Sequence, residues 1–154
     1  MRRKYVLLVL LCLQGLLSCR EEKKEPDLTL PLVGDYEGGM TYGRWSGWRA
    51  PQYPPESRPC NAQLYKVDNN TVGIDIRLSD RVVTLHADVL AENHVLRLVV
   101  EPAHLPDRHV VGIAEPDQPG YHGTFDPAGK GLKLNLQETR DAMDFLAEVS
   151  IRKQ

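Results

Sequence analysis

An alternation of apolar and polar residues with a period of two runs through most of the chain and constrains its fold more than any other feature. In residues 72–78 every second position is apolar, and the positions between are polar or glycine. This is the spacing of a β-strand that buries one face. Similar stretches occupy residues 33–42, 61–67, 83–89, 96–100, 111–113, 121–125, 132–136 and 145–151. The sequence therefore predicts an all-β protein with eight or nine strands.

Most connections between these stretches are short and rich in turn-forming residues, such as those at 68–70 and 126–131. Short connections predict antiparallel hairpins between neighbours in sequence. A sheet of this kind has exposed edges unless it closes on itself. We therefore expect an antiparallel up-and-down barrel, with a β-sandwich as the alternative. The connection over residues 43–59 is the one long connection expected.

The C-terminal stretch admits two interpretations. Leu136, Met143 and Ala147 fit one stripe of a helix, whereas residues 145–151 alternate with a period of two. The alternation favours a short turn followed by a final strand.

The N-terminal residues indicate export and lipidation. Residues 2–4 are basic, and residues 5–17 form an apolar stretch that is shorter than the about 20 residues needed to span a bilayer. This pattern is typical of a secretory signal. Residues 16–19, Leu-Leu-Ser-Cys, resemble the lipobox of bacterial lipoproteins. The resemblance implies a signal peptide over residues 1–18, lipidation at Cys19, and a place in the bacterial cell envelope, anchored in the outer membrane and facing the periplasm or the cell surface.

Residues 19–31 are predicted to be the lipidated cysteine and a flexible charged tether, because charges and two prolines replace the apolar periodicity there. The folded domain is expected over residues 32–154. Without residues 1–18 the chain has 16 Lys and Arg against 21 Asp and Glu, a formal charge of −5. An acidic chain without a clustered basic excess predicts no nucleic-acid partner.

The start of the expected domain resembles a known family. Gly34 and Tyr36 match the Gly-x-Trp/Tyr opening of the calycins, the lipocalin-like and avidin-like barrels. Segments 123–126 and 132–134 are similar to the closing hairpin of small lipocalin-like bacterial lipoproteins. The resemblance implies a lipocalin-like barrel in which the glycine permits a bend at the floor and the aromatic ring plugs it. It implies no particular ligand.

No pattern of catalytic or cofactor-binding residues stands out. Cys60 is the only cysteine left once Cys19 is lipidated and Cys12 is removed with the signal peptide, and a buried structural role is predicted for it. The five histidines lack the spacing of a metal site. Acidic pairs such as Asp35 with Glu37 fit solvated strand positions. We therefore predict a protein that is not an enzyme and that has no metal or cofactor.

The segment over residues 42–55 differs from the rest in composition, since it holds both tryptophans of the protein. Long loops are often functional, and Trp and Arg suit recognition as well as packing. Residues 42–60 carry a charge of +2 on an acidic protein, from three arginines and one glutamate, which favours an anionic or sugar-bearing partner. A cap over the barrel end is the alternative. The residues predicted to bind a ligand or partner are Arg44, Trp45, Trp48, Arg49 and Tyr53.

Together these features predict a lipid-anchored, non-enzymatic binding module of the cell envelope. Its partner is expected to be a small apolar molecule held in a barrel cavity, a glycan, or an envelope protein. Two alternatives stay open. One is a structural or accessory lipoprotein whose solid barrel docks onto an envelope complex, and the other is a hydrolytic enzyme.

Overall fold

The computed structural model describes residues 26–45, 56–114, 118–141 and 143–154. These residues form ten β-strands, and none of their segments is a helix long and apolar enough to cross a membrane. The strands are β1 Gly34–Trp45, β2 Glu56–Lys66, β3 Thr71–Arg77, β4 Val82–Glu92, β5 Val95–Val100, β6 Ala103–Leu105, β7 Arg108–Gly112, β8 Gly123–Asp126, β9 Gly131–Arg140 and β10 Met143–Lys153.

Eight of these strands close into an antiparallel barrel. Each strand from β1 to β5 pairs with the next along the chain. β5 then pairs with β8, β8 with β9 and β9 with β10, and β10 returns to β1. Because the ladder between β10 and β1 joins the two ends of the sheet, the ring has no open edge. The predicted all-β antiparallel barrel is confirmed, and the sandwich alternative is excluded.

The strand order departs from a simple meander at one place. β6 and β7 form a hairpin, and β7 pairs with residues 136–139 of β9, whereas β8 pairs with residues 131–134 of the same strand. β7 and β8 therefore share one strand position in the barrel wall, which we call the split strand position. Between them, the N–H of His122 donates to the carbonyl of Leu98, and its carbonyl accepts the N–H of Asn135. The three-residue β6 was not expected from the sequence.

Two boundaries also differ from those expected. β1 continues to Trp45 and β2 begins at Glu56, so both strands extend into the connection expected over residues 43–59. The connection shortens to residues 46–55, which lie outside the described residues. At the C-terminus, β9 and β10 are joined by a tight turn that includes Asp141, with φ of 51°. The last stretch is therefore a pair of strands, as the alternation predicted.

The alternating apolar residues fill the barrel interior. In β4 every second residue from Val83 to Val89 is buried, and the residues between are exposed. Ile74 and Leu85 face each other across β3 and β4, and both are buried in the single apolar core. The inward-facing positions predicted for these two strands are confirmed.

One end of the barrel, the closed end, is filled by apolar side chains. Tyr36 is buried, its hydroxyl donates to the carbonyl of Leu32 at 2.6 Å, and its ring meets Phe125 edge-on with 6.4 Å between centroids. Gly34 has φ of 146°, and a Cβ there would lie 2.7 Å from the side chain of Lys153. This positive φ favours glycine at the start of β1, at the closed end. Gly34 and Tyr36 occupy the positions that the calycin-like opening implies.

The N-terminal segment, residues 27–33, covers this closed end. The N–H of Leu28 donates to the carbonyl of Asn69 in the turn between β2 and β3, at 2.9 Å. Thr29 and Leu32 are both fully buried. The segment thus adds apolar surface and satisfied polar groups to the folded unit.

Asp27 fastens the start of this segment. Its carboxylate accepts hydrogen bonds from the ammonium of Lys66 and from the hydroxyl and N–H of Thr29. These bonds lower the pKa of Asp27 to about 2, and the bond from Lys66 makes the largest contribution. Residues 27–31 of the predicted tether therefore pack against the folded unit, and residues 19–25 lie outside the described residues.

Candidate functional site at the barrel mouth

The end of the barrel opposite the closed end, which we call the mouth, is where the predicted binding segment joins the fold. β1 ends and β2 begins there, and the β3–β4, β6–β7 and β9–β10 turns surround it. The backbone of Arg44 and Trp45 lies in β1, but their side chains are outside the described part of the chain. Trp48, Arg49 and Tyr53 lie outside the described residues altogether. Their predicted binding roles therefore stay predictions.

The mouth contains a depression of about 350 Å³. Its walls come from β1, β2, β9, β10 and the β3–β4 turn, and they combine aromatic, methionine and arginine side chains. Pockets for small molecules span about 300–1,000 Å³. The depression therefore has room for one ring-sized group or one side chain of a larger partner. Its aromatic and cationic lining residues are Tyr42, Phe145, Arg58, Arg81 and Arg140.

Tyr42 and Phe145 form the aromatic side of this depression. Their rings are within 10° of parallel, with 5.1 Å between centroids. Burial and the charge of Glu138 raise the pKa of Tyr42, while Arg81 opposes the rise by its charge and a hydrogen bond. The phenol therefore keeps its proton at neutral pH and can donate a hydrogen bond at the mouth.

Glu138 is the centre of an ion-pair network below the mouth. Its two carboxylate oxygens accept from Arg81 at 3.0 Å and from Arg108 at 3.1 Å. The side chain of Glu138 is only 8% exposed, and that of Arg108 is 12% exposed. β9 buries leucines at 132, 134 and 136, so Glu138 takes the next inward position of the same alternation. A carboxylate at such a depth requires charged partners, because an unpaired buried charge is strongly destabilising.

The arginines around the mouth are compensated by acidic neighbours in the described residues. The local ion pairs are Arg58–Glu56, Arg81–Asp80, Arg108–Asp107 and Arg140–Asp141. Arg81 still keeps a buried Nε with no acceptor among the described residues. The positive charge expected for the binding segment therefore depends on Arg44 and Arg49.

Below the depression, the barrel interior is filled. In the part of the chain that the structure describes, the space under the mouth measures about 20 Å³, between Met40, Ile76 and neighbouring apolar side chains. This space is far smaller than the about 300 Å³ of a small-molecule pocket.

A wider depression of about 1,030 Å³ lies on the outer wall, across β1, β9 and β10. Its lining includes Glu37, Lys133, Glu148 and Arg152, which point outward from their strands. No aromatic side chain of the described residues lines it. This is the composition of a solvated strand face, so the mouth is the stronger candidate for recognition.

The other residues considered for chemistry have structural surroundings. Cys60 is buried as predicted, and burial raises the pKa of its thiol, which disfavours the reactive thiolate. His104 and His109 stack across the β6–β7 hairpin with 4.2 Å between centroids, a contact that the sequence did not predict. Within the described ranges, no group of three or more His, Cys, Asp or Glu is arranged to hold a metal ion.

The network around Glu138 was missed from the sequence. Its partners Arg81 and Arg108 lie 57 and 30 positions away along the chain, so no local spacing connects them. One signal was present, because a glutamate that continues an inward-facing leucine series must find a buried partner.

No protein-family model and no curated protein matches the chain. Among solved structures, the chain is similar to a redesigned beta barrel, at 14% identity and a TM-score of 0.38, over 84% of this chain and 97% of that one. It is also similar to a protein with unknown function from the DUF3598 family of Nostoc punctiforme, at 12% identity and a TM-score of 0.38. That match covers 80% of this chain and 48% of the other, so the chain spans about half the length of that protein.

Proposed function

We propose that this protein is a lipid-anchored, non-enzymatic binding module of the bacterial cell envelope, built on a lipocalin-like barrel, and that it binds an acidic glycan at the mouth. The observation that carries the proposal is the depression of about 350 Å³, in which the stacked rings of Tyr42 and Phe145 lie near Arg58 and Arg140. Aromatic rings offer an apolar face to a sugar, and guanidinium groups bind carboxylate or phosphate in a fork geometry. An acidic sugar presents both kinds of group.

The filled interior supports a partner that stays outside the barrel. With about 20 Å³ below the mouth, the described packing leaves no volume for an apolar molecule of drug size. A glycan end or a protein side chain needs only the shallow depression. This favours the glycan and protein partners over the small apolar ligand that the sequence also suggested.

The lipid anchor is supported by the lipobox-like residues 16–19 and by the position of the chain's entry into the fold. Residue 26 precedes a segment that packs on the closed end, and the mouth lies at the far end of β1. A twelve-residue strand that is tilted as in small barrels spans about 30 Å along the barrel axis. An anchor at Cys19 would therefore be attached to the end of the barrel opposite the mouth.

The anchor is tested by replacing the cysteines one at a time. Cys19→Ala is expected to leave an unprocessed precursor without acyl mass in intact-protein mass spectrometry, and Cys12→Ala, the matched control, is expected to be processed and acylated normally. Acyl chains on the Cys19→Ala protein would contradict the anchor.

Glycan binding is tested on an array of acidic and neutral polysaccharides with the full-length protein. The wild type is expected to bind uronic-acid or phosphorylated glycans, and replacing Trp45 and Trp48 together by Ala is expected to abolish binding with little change in melting temperature. Tyr65→Ala is the matched control, because Tyr65 is an exposed aromatic residue on β2 far from the mouth. A large fall in melting temperature of the double variant would show that the tryptophans cap the barrel instead.

The docking alternative is favoured by one observation, the solid core. Native mass spectrometry of protein purified from its own membrane separates the two functions. A retained carbohydrate mass supports glycan binding, whereas a stoichiometric protein partner with no carbohydrate supports an accessory role.

A further inference from the structure

We propose that the closed end of the barrel is itself a membrane-contacting surface, in which Leu30 and Val67 insert among lipid headgroups beside Lys130 and Lys153. The inference rests on the lipid anchor proposed above. It goes beyond that anchor, because an acylated cysteine on a flexible tether fixes neither which surface of the domain meets the lipid nor which way the mouth points.

Exposed apolar side chains are concentrated near this end. Leu30 is 66% exposed and Val67 is 49% exposed, although both lie in ordered backbone. The two segments touch, since the hydroxyl of Thr29 donates to the carbonyl of Asp68 at 3.3 Å. Five large apolar residues are exposed in the described ranges: Leu30, Tyr65, Val67, Val82 and Leu90. Of these, only Val82 lies at the mouth end of the barrel. Apolar side chains next to charged ones are typical of surfaces that lie in a lipid interface.

The chain reaches the membrane from the same end. Asp27 is held by Lys66, and Leu28 is held by Asn69, so the residues free to act as a tether are those between Cys19 and Asp27. A seven-residue linker, treated as a random coil, would span about 15 Å on average. A tether of this length keeps the closed end, but not the mouth, within reach of the lipid headgroups.

Lys153 contacts the residue that follows Leu30, and Lys130 is bonded to Lys153. The ammonium of Lys153 donates to the carbonyl of Pro31 at 3.0 Å, and the N–H of Lys153 donates to the carbonyl of Lys130 at 2.9 Å. Long lysine side chains can extend to phosphates while their stems lie along apolar surface. The lysines are therefore placed to meet phosphate groups while Leu30 enters the acyl boundary.

Three acidic residues at this end are engaged by donors of the protein. The carboxylate of Asp68 accepts the N–H of Asn70, which lowers its pKa, and the carboxylate of Asp126 accepts two N–H groups in its own turn. Asp27 is paired with Lys66. These contacts hold the carboxylates against protein donors, so they oppose phosphates less than exposed acids would.

The test uses the full-length lipidated protein in vesicles of phosphatidylethanolamine and phosphatidylglycerol. Nitroxide spin labels are attached to Leu30→Cys, Val67→Cys and, as the matched control at the mouth, Val82→Cys. Cys60 is buried and does not compete for the label. Relaxation by oxygen, which concentrates in lipid, is compared with relaxation by a water-soluble nickel chelate. We expect the ratio of oxygen to nickel accessibility to rise several-fold at positions 30 and 67 and to stay unchanged at position 82.

Three other outcomes would overturn the inference, and the measurements distinguish them from one another. If the protein floats with the vesicles but the labels at 30 and 67 match the label at 82, the lipid contact is absent and the anchor stands. If the labels are shielded from nickel without gaining oxygen accessibility, a protein covers the closed end. If the processed wild-type protein does not float with vesicles, the anchor fails, and the lipid contact fails with it.

Discussion

The two ends of the barrel are built from the same strands but contain opposite chemistry. At the closed end, the hydroxyl of Tyr36 finds its acceptor inside the protein, and its ring packs against Phe125. At the mouth, the inward positions carry Glu138 and its two arginines beneath a depression open to solvent. The apolar core therefore ends before the barrel wall does. The last layer of side chains at the mouth is organised by charge, which limits its contribution to stability.

The largest effect is expected at the closed end. Tyr36→Ala removes a buried ring and leaves a cavity beside Phe125, so the free energy of unfolding should fall by about 3–5 kcal/mol in urea denaturation. The corresponding change at the mouth, Tyr42→Ala, should cost clearly less, because Tyr42 is only half-buried. Equal losses at both positions would remove the contrast between the two ends.

A smaller loss is expected from the ion-pair network. Glu138→Leu leaves Arg81 and Arg108 with only their exposed partners, and we expect a loss of about 2 kcal/mol, below the range for a fully buried pair. Replacing all three network residues by apolar ones should recover most of that loss, because no unpaired charge is then left. A triple variant as unstable as Glu138→Leu would show that the network stabilises the mouth beyond charge compensation.

Acid should loosen the segment that Asp27 fastens at the closed end. The pKa of Asp27 is about 2 in the fold, against a usual value of 3.8, so its contribution to stability is complete above pH 4 and is lost as the pH falls towards 2. Hydrogen exchange should show the protection factor of the Leu28 amide falling over this range, while that of the Leu78 amide in the β3–β4 turn falls less. In Asp27→Asn, protection of the Leu28 amide should be low already at neutral pH. Parallel losses at Leu28 and Leu78 in the wild type would contradict the assignment to Asp27.

The smallest effect on stability is expected from the aromatic pair at the mouth. Phe145→Leu keeps most of the apolar volume and removes the stack on Tyr42, which should cost about 1 kcal/mol in thermal denaturation. Glycan binding on the array should fall by a much larger factor. A variant that loses stability but keeps its binding would place the recognition surface away from this pair.

The central strands could be predicted because apolar residues recur there at every second position, so each buried residue is indicated by those two positions away. Val72, Ile74 and Ile76 all face the core, as the alternation indicated. The floor could be predicted from Gly34 and Tyr36, whose roles depend on a local bend and one large ring. Both inferences rest on short-range geometry.

What the sequence did not reveal depends on contacts between distant segments. Residues 27–31 resemble a tether in composition, and they are ordered because the β2–β3 turn supplies partners for their polar groups. β6 has three residues, too few for any periodicity, and it exists because β7 occupies the edge of β9 that β8 leaves unpaired. Glu138 finds its arginines on two other elements of the barrel. No spacing along the chain encodes these arrangements.

The split strand position formed by β7 and β8 has a consequence for how this barrel can change over evolutionary time. The chain leaves the wall after Ile113, whose N–H still donates to the carbonyl of Asn135, and returns at His122. The ring of His122 occupies the space that a side chain at position 112 would need, 2.1 Å from its Cβ. The two half-strands are each registered on β9 by their own ladders. New sequence inserted between them therefore shifts no strand pairing, unlike an insertion within any undivided strand. The barrel has a built-in position at which a loop or a whole additional domain can be acquired, lost or grafted while the ring stays closed.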